Sequence, residues 1–276
     1  MSTNTTDQLG NLLTFNSTPQ RVISLVPSNT ELLHYLIPSE KVVGITKFCI
    51  KPNSWFTSKA RVGGTKNIAF DTIKKLNPDL IIANKEENEK YQIEELSKLY
   101  PVWVSEVNTL KDAYHLINEL GTLLEAKEKA VQLIKKIKEN FKSFTPIKVR
   151  LKVAYFIWNN PKMVVGNNNF INHLLKKCGF ENAFSSISRY PQVSDKEILK
   201  ENPDIIFLSS EPFPFKEKHV SDFQNNFPNS KIYLVDGELF SWYGPRLLES
   251  ASYFTDLIKK ITVDFDVDKT RLSTPI

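Results

Sequence analysis

An internal repeat constrains the fold of this chain more than any other feature. Residues 69–83 and residues 193–207 each combine a short helical pattern, an Asn-Pro-Asp triplet and a continuous apolar run. Because proline cannot continue a helix and biases the preceding residue away from the helical region, each triplet is predicted to end a helix before a buried strand. A repeated helix–strand unit predicts two lobes built in the same way.

The sequence around the two copies corresponds as well. An apolar strand is predicted before each copy, and a helix followed by another strand after it. We also pair residues 42–44 with residues 164–166 as equivalent strands. Short apolar strands that alternate with helices predict parallel sheets covered on both faces. The expected fold class is therefore α/β, with two Rossmann-like lobes joined by a single long rigid helix.

The connection between the lobes is predicted to be helical. Apolar residues recur at helical spacing between Glu125 and Phe144, with Lys and Glu between them. This pattern predicts one helix of about 20 residues, roughly 30 Å long. A helix is stiffer than a Gly/Ser linker, so we expect little movement between the lobes.

The expected organisation is an N-terminal hairpin segment (1–20) turning at Gly10, an N-terminal lobe (21–122), the connecting helix (123–145), a C-terminal lobe (146–262) and a loosely packed tail (263–276).

Composition and charge exclude several classes of protein. Hydrophobic residues at 41% and charged residues at 24% are typical of a soluble globular protein. The net charge of +5 includes a lysine cluster at 127–142 that is interleaved with Glu on a helical pattern, which favours a solvated helix face over a nucleic-acid site. No apolar run approaches the ~18–20 residues that span a bilayer, and the first ten residues lack the features of a secretory signal. We expect a monomer without a nucleic-acid partner or membrane insertion, cytoplasmic as written, or periplasmic or cell-surface if a leader was removed.

The sequence contains no recognisable catalytic motif. It has no Gly-x-Ser-x-Gly elbow, P-loop, Rossmann glycine pattern or His-Glu-x-x-His. Cys49 and Cys178 form no CxxC pair and are predicted to be buried free thiols. The four histidines fall on predicted helices, where His219 is the best candidate to ligate a metal that is already chelated. We expect no enzyme activity, no catalytic residue, no bare metal site and no intrinsic cofactor.

These features together resemble the helical-backbone substrate-binding proteins of ABC importers. The resemblance extends from residue 21 to residue 261. Among the members of this family, the vitamin B12-binding group is the most similar, through the Gly-Phe-Glu-Asn and Tyr-Pro-Gln-Val-Ser segments, beside the iron-siderophore-binding and haem-binding groups. The segments that carry the resemblance are 21–33, 61–65, the two Asn-Pro-Asp strands, 170–182 and 189–194.

The resemblance implies non-enzymatic capture of a bulky metal chelate between the lobes for delivery to an ABC permease dimer. The chelate would be a cobalamin-like corrinoid, haem or a ferric siderophore, and a cytoplasmic carrier or sensor of the same ligand is the alternative. In relatives bound to the importer, one acidic residue on each lobe meets arginines of the permease. Asp71 and Asp195 are the candidates here, although helix capping also explains acidic residues at these positions, and Glu197 completes a Ser194-x-x-Glu capping pattern.

Candidate ligand residues follow from the expected sheets. Ligands of open α/β sheets bind beyond the carboxyl ends of the strands, so the loops after each strand should line the site. Aromatic rings in these loops suit a large planar ligand because each ring buries extensive apolar area at little entropic cost, but the same rings could instead pack the loops onto the sheets. The candidates are Phe48, Trp55, Lys85 and Glu86 in the first lobe and Trp158, Asn159, Arg189, Tyr190, Glu211, Phe213, Phe215, Trp242, Tyr243 and Arg246 in the second.

Overall fold

The computed structural model describes residues 3–272, which form two compact units. The first unit comprises Met1–Lys138 and the short segment Trp242–Pro245, and the second comprises Glu139–Ser241 and Arg246–Ile276. The sequence placed all of residues 146–262 in one lobe, whereas the structure assigns Trp242–Pro245 to the first unit.

The N-terminus forms the predicted hairpin. Strand β1 (Thr3–Thr6) pairs antiparallel with β2 (Leu12–Phe15). Gly10 lies in the turn with a φ of 89°, a left-handed conformation that glycine adopts without steric cost. The carboxylate of Asp7 closes the turn by accepting hydrogen bonds from the backbone N–H groups of Leu9 (2.9 Å) and Asn11 (2.8 Å).

The first unit contains a five-stranded sheet in which every pairing is parallel. Its elements are β3 (Val22–Ser24), α1 (Pro27–Leu36), a 3₁₀ turn (Ser39–Lys41), β4 (Val42–Ile45), α2 (Asn53–Ser58), β5 (Ala60–Arg61), α3 (Phe70–Leu76), β6 (Leu80–Asn84), α4 (Lys90–Ser97), β7 (Val102–Ser105) and α5 (Leu110–Leu123). The strand order is β5-β4-β3-β6-β7. Every residue of β6 is buried, as expected of a strand inside a parallel sheet that is covered on both faces.

The second unit repeats this arrangement with one antiparallel addition. Its elements are β8 (Lys152–Trp158), β9 (Met163–Val164), α7 (Phe170–Lys177), β10 (Glu181–Asn182), α8 (Asp195–Glu201), β11 (Ile205–Ser209), α9 (Glu217–Asn226), β12 (Lys231–Val235), α10 (Gly237–Ser241) and α11 (Leu247–Leu272). The parallel strands have the order β10-β8-β11-β12, and β9 pairs antiparallel with β8. The predicted α/β class with parallel sheets is confirmed.

The predicted equivalence of residues 42–44 and 164–166 is wrong. Strand β4 lies parallel to β3, whereas β9 folds back antiparallel on β8. The counterpart of β4 is β10, which pairs parallel with β8 on the side away from β11. A short Val-Val-Gly run fits a parallel strand and a tight antiparallel return equally well, so its composition could not distinguish them.

Both Asn-Pro-Asp triplets end their helices in the same way. Asn77, with a φ of 43°, is the C-terminal cap of α3, and Asn202, with a φ of 45°, is that of α8. Both values lie in the left-handed region, which asparagine tolerates better than most residues. Each helix therefore ends at the asparagine, one residue before the proline to which the sequence attributed the ending.

The aspartate of each triplet ties together the starts of two neighbouring strands. The carboxylate of Asp79 accepts hydrogen bonds from the backbone N–H groups of Gln20 (2.7 Å) and Arg21 (2.8 Å), which precede β3. The carboxylate of Asp204 accepts one from the N–H of Lys152 (2.7 Å), the first residue of β8. In both units the strand after the triplet is thereby aligned with the first strand of the sheet.

The predicted connecting helix corresponds to α6 (Lys127–Ser143), and the boundary between the two units falls within it, after Lys138. It packs against α5 at very short range, because a Cβ at Gly121 would lie 2.3 Å from the Cβ of Ala130. Glycine is therefore required at this crossing. The stiffness of the connection stays a prediction.

The C-terminal residues predicted as a tail are helical as far as the structure describes them. Helix α11 extends through Leu272, and Ile261 is fully buried. Asp264 anchors this part of the helix, since its carboxylate accepts a hydrogen bond from the Tyr233 hydroxyl (2.7 Å). The rest of the predicted tail, 273–276, lies outside the described residues.

None of the helices described for residues 3–272 is long and apolar enough to cross a membrane.

The left-handed asparagines give a test of the repeat. Asn77→Ala and Asn202→Ala should each lower the free energy of unfolding by about 1 kcal/mol, because a Cβ without a compensating polar group disfavours the left-handed conformation. Asn77→Gly and Asn202→Gly are the matched controls and should change it by less than about 0.5 kcal/mol. Urea denaturation measures both. Equal losses for alanine and glycine would show that the asparagine side chains, rather than the backbone conformation, end the helices.

Candidate functional site

The carboxyl ends of the strands in the first unit carry a buried polar cluster. The β6–β7 register places Asn84 opposite Ser105. The side-chain amide of Asn84 donates to the Ser105 hydroxyl (3.1 Å) and to the Tyr243 hydroxyl (2.7 Å), and the amide of Asn29 in α1 donates to the Ser105 hydroxyl (3.2 Å). Polar side chains thus replace apolar packing where these strands end.

Tyr243 reaches this cluster from the segment Trp242–Pro245. Its side chain is only 6% exposed, and burial raises the pKa of its hydroxyl. The next residue, Gly244, packs on α1, where a Cβ would lie 3.3 Å from the Cβ of Leu32. The ring of Trp242 is also buried. The sequence predicted that Trp242 and Tyr243 contact a ligand; both rings are buried in the structure, and their contact with a ligand stays a prediction.

The other candidates of the first unit differ in accessibility. Trp55 is 2% exposed on α2, with its ring centre 5.1 Å from that of His34, so its ring packs in the core and its contact with a ligand stays a prediction. Phe48 follows β4 and is 51% exposed. Lys85 follows β6 and forms an ion pair with Glu106 (2.6 Å), and the next residue, Glu86, is half-buried. Phe48, Lys85 and Glu86 therefore lie at carboxyl ends of strands, as predicted.

The second unit carries a row of aromatic side chains at the same edge of its sheet. Trp158, the last residue of β8, is 38% exposed, and its ring centre lies 5.7 Å from that of Phe213. Phe213 is half-buried and lies 4.7 Å from Phe215, which packs on Phe223 in the core. The row runs from solvent into the core. Phe215 is thus a buried residue whose contact with a ligand stays a prediction, while Trp158 and Phe213 form the accessible end.

His219 lies beneath this aromatic row. Its Nδ1 accepts a hydrogen bond from the backbone N–H of Lys216 (2.9 Å), at the start of α9. Its ring centre is 5.4 Å from that of Phe213 and 5.5 Å from that of Phe215. His219 is therefore buried and packed against the rings. In the part of the chain that the structure describes, no group of three His, Cys, Asp or Glu side chains is placed to hold a metal ion.

Arg189 and Tyr190 lie in the loop after β10, and both are half-buried. The backbone of Arg189 is left-handed, with a φ of 63°. Its N–H donates to the carbonyl of Asn167 (2.7 Å), and its carbonyl accepts from the N–H of Gly166 (2.8 Å). This loop is thus attached to residues that precede α7.

The remaining candidates of the second unit contact α10 or the turn after β8. The carboxylate of Glu211 accepts a hydrogen bond from the Ser241 hydroxyl (2.6 Å). Arg246 lies 3.6 Å from the carboxylate of Glu238, and both side chains are 15% exposed. Asn159 is half-buried in the turn that follows β8.

The two candidate docking residues lie in the first turns of the repeated helices. Asp71 is exposed in α3, and Asp195 in α8 forms an ion pair with Lys162 (2.7 Å). The predicted capping pattern is confirmed, because Ser194 caps α8 and the Glu197 carboxylate accepts from the N–H of Ser194 (2.8 Å). These hydrogen bonds lower the pKa of Glu197. The capping box is formed by Ser194 and Glu197, so Asp195 takes no part in it.

Sequence reasoning missed the buried polar residues at the carboxyl ends of the strands in both sheets. Asn84, Ser105 and Asn182 are each the last residue of a strand, and all three are buried. The available signal was a polar residue at the end of an apolar run, as in Leu-Ile-Ile-Ala-Asn and Val-Trp-Val-Ser. A buried polar side chain needs a hydrogen-bond partner, and these partners come from distant parts of the chain.

The Tyr243 hydroxyl provides a test of the polar cluster. Tyr243→Phe should lower the free energy of unfolding by about 1 kcal/mol, since the buried amide of Asn84 loses one acceptor and keeps Ser105. Tyr35→Phe, the same change at a half-buried tyrosine of α1, is the control and should shift it by less than about 0.5 kcal/mol. Chemical denaturation compares the two. Equal stability of Tyr243→Phe and the wild type would contradict a structural role for this hydroxyl.

Comparison with known proteins places this chain among binding proteins. A family model described as periplasmic binding protein matches residues 22–230. An uncharacterised ABC transporter substrate-binding lipoprotein of Bacillus subtilis, YvrC, is 27% identical over 263 residues, covering 89% of this chain and 82% of the relative. The vitamin B12-binding protein of Vibrio parahaemolyticus is 24% identical over 246 residues, covering 85% of this chain and 88% of the relative.

A solved structure shows the same fold. The periplasmic haem-binding protein RhuT from Roseiflexus sp. RS-1, in its apo form, superposes with a TM-score of 0.71 at 17% identity. The match covers 87% of this chain and 96% of that structure. At this level of identity the likeness concerns the fold alone.

Proposed function

Because this chain belongs to the periplasmic binding protein family, we propose that it captures a bulky metal chelate and delivers it to an ABC importer. Membership of the family makes it a ligand-binding protein of the ABC-transporter type, for which a permease is the partner. The ligand class and the residues that hold it are the further steps of the proposal.

The exposed end of the aromatic row is the observation that carries the proposal. Trp158 keeps 38% of its surface exposed although its ring packs on Phe213. The indole N–H already donates to the carbonyl of Asn160 (3.1 Å). Because the polar group of Trp158 is satisfied within the protein, its exposed ring offers an apolar face. Such a face suits a ligand with a broad apolar surface.

The chemistry of the relatives agrees with a flat or bulky chelate. One relative is named for vitamin B12, and the structural neighbour is named for haem. Both ligands are macrocycles that hold a metal and present large apolar areas with polar groups at the rim. We propose a cobalamin-like corrinoid as the first candidate ligand, with haem and ferric siderophores as the alternatives of the same class.

Titration of the wild-type protein tests the ligand class. Cyanocobalamin, cobinamide, haem and a ferric siderophore are added in turn, and binding is followed by calorimetry and by the thermal unfolding midpoint, which a ligand of the folded state must raise. We expect one of them to bind with a micromolar or lower dissociation constant. Trp158→Ala should weaken that binding by about tenfold or more, because the largest exposed ring is lost.

The control for this titration is Leu199→Ala, which removes an exposed apolar side chain on α8. It should leave the affinity unchanged. If Trp158→Ala and Phe213→Ala both bind as the wild type does, the aromatic row is not the ligand site. If none of the four probes raises the unfolding midpoint, the chelate class is wrong.

The exposed acids of the repeated helices are the proposed contacts with the permease. Asp195 is free of the capping role that Glu197 performs, and Asp71 occupies the same first turn in α3. Two equivalent acids on two equivalent helices suit a partner with two equivalent basic sites, such as a permease dimer.

Measurement of binding to the cognate permease complex tests this docking role. The double variant Asp71→Ala/Asp195→Ala should weaken the complex by at least about tenfold and leave ligand affinity unchanged, since charged pairs at an interface govern association. Asp256→Ala, at an exposed acid on α11, is the control. If the protein binds its ligand tightly but associates with no permease, the result would instead favour a function as a carrier or sensor of that ligand.

A further inference from the structure

Four asparagine side chains of the second unit form a connected network. We define the asparagine network as Asn167, Asn169, Asn172 and Asn182. The amide of Asn182 donates to the side-chain oxygen of Asn172 (2.9 Å), and the amide of Asn172 donates to that of Asn167 (3.1 Å). Three of the four are buried, with Asn167 at the edge. The network joins the end of β10 to the start of α7.

Asn169 performs two separate tasks in this network. Its Oδ1 caps α7 by accepting from the backbone N–H of Asn172 (2.9 Å). Its Nδ2 donates to the carbonyl of Arg189 (3.1 Å) and also faces the carbonyls of Asn167 (3.3 Å) and Gly166 (3.4 Å). The cap needs only an acceptor, whereas the link to Arg189 needs the amide donor. A serine at this position would separate the two tasks.

The loop that the network holds has an unfavourable backbone conformation. Arg189 has a φ of 63°, in the left-handed region that residues other than glycine rarely adopt. Hydrogen bonds hold Arg189 on both sides, from its N–H to Asn167 and from Gly166 to its carbonyl. Such conformations persist only where the surroundings over-determine them, and they concentrate at ligand sites.

Gly166 shows how closely the two loops approach. A Cβ at this position would lie 2.2 Å from the carbonyl oxygen of Ile187. Only glycine allows that contact without moving the backbone. The loop from Ile187 to Tyr190 is therefore fixed against the residues before α7 by a steric fit as well as by the amide donors.

We propose that Asn169 is a positioning residue of the ligand site. Its side-chain amide holds the backbone of Arg189 in its left-handed conformation and so fixes the direction in which the side chains of Arg189 and Tyr190 leave the loop after β10. A preformed loop lowers the entropic cost of ligand binding, because less order must be imposed when the ligand arrives. This inference rests on the proposed function, since it concerns contacts with the same chelate.

The test is Asn169→Ser, which keeps an acceptor for the α7 cap and removes the amide donor to Arg189. Two readouts are needed: amide hydrogen exchange resolved at Asn167 and Arg189, and affinity for whichever of cyanocobalamin, cobinamide, haem and ferric siderophore the wild type binds. We expect exchange at both amides to rise by about tenfold and affinity to fall by about tenfold, with little change in the unfolding midpoint. Asn225→Ser, the same change at an exposed position of α9, should alter neither readout.

Gly166→Ala provides a second variant that leaves the α7 cap untouched. Its added Cβ must displace the carbonyl of Ile187, so it should reproduce the faster exchange and weaker binding even if Asn169→Ser folds poorly. Faster exchange at Arg189 with wild-type affinity in both variants would overturn the positioning role. Unchanged exchange would also overturn it, because the network would then not hold the loop. If the wild type binds none of the four probes, the proposed function fails, and the exchange data alone decide whether Asn169 holds the loop.

Discussion

The alignment of strand starts by the Asn-Pro-Asp aspartates is the interaction on which the rest of the structure depends. Asp79 and Asp204 each accept backbone hydrogen bonds from the residues that open the first strand of their sheet. Because strands aligned at their starts in a parallel sheet also end close together, this alignment brings the carboxyl ends of β3 and β6, and of β8 and β11, to one edge. The candidate site residues follow those ends, so their proximity derives from a contact at the opposite edge of each sheet.

The two edges differ in chemistry although the frameworks repeat. In the first unit the strand ends carry hydrogen-bonded side chains, with Asn84 and Ser105 at the centre. In the second unit Trp158 ends β8 and begins a row of rings that runs through Phe213 to the buried Phe215. A repeated backbone therefore carries a buried polar cluster at the strand ends of one unit and a partly exposed aromatic row at those of the other.

Much of the framework could be predicted from the sequence, whereas the burial of individual rings could not. The Asn-Pro-Asp triplets and apolar runs located β6 and β11 and the helices before them because these signals are local. Trp55, Phe215, Trp242 and Tyr243 were predicted to face a ligand and are buried, since a ring in a loop packs inward or outward according to partners that are distant in sequence. Leu32 beneath Gly244 is one such partner. The asparagine network was missed for the same reason, as Asn169 and Arg189 are separated by a loop, a helix and a strand.

The assignment of Trp242–Pro245 to the first unit has a consequence for how the protein is made. The first unit is interrupted after Lys138 by most of the second unit. The segment Trp242–Pro245 then belongs to the first unit, and the residues after it belong to the second. During synthesis from the N-terminus, Asn84 and Ser105 emerge long before Tyr243, so their polar cluster lacks one of its hydroxyls until the second unit is nearly complete. The first unit therefore gains its last hydrogen-bonding group only after most of the second has been synthesised, whereas N-terminal domains generally fold as units first.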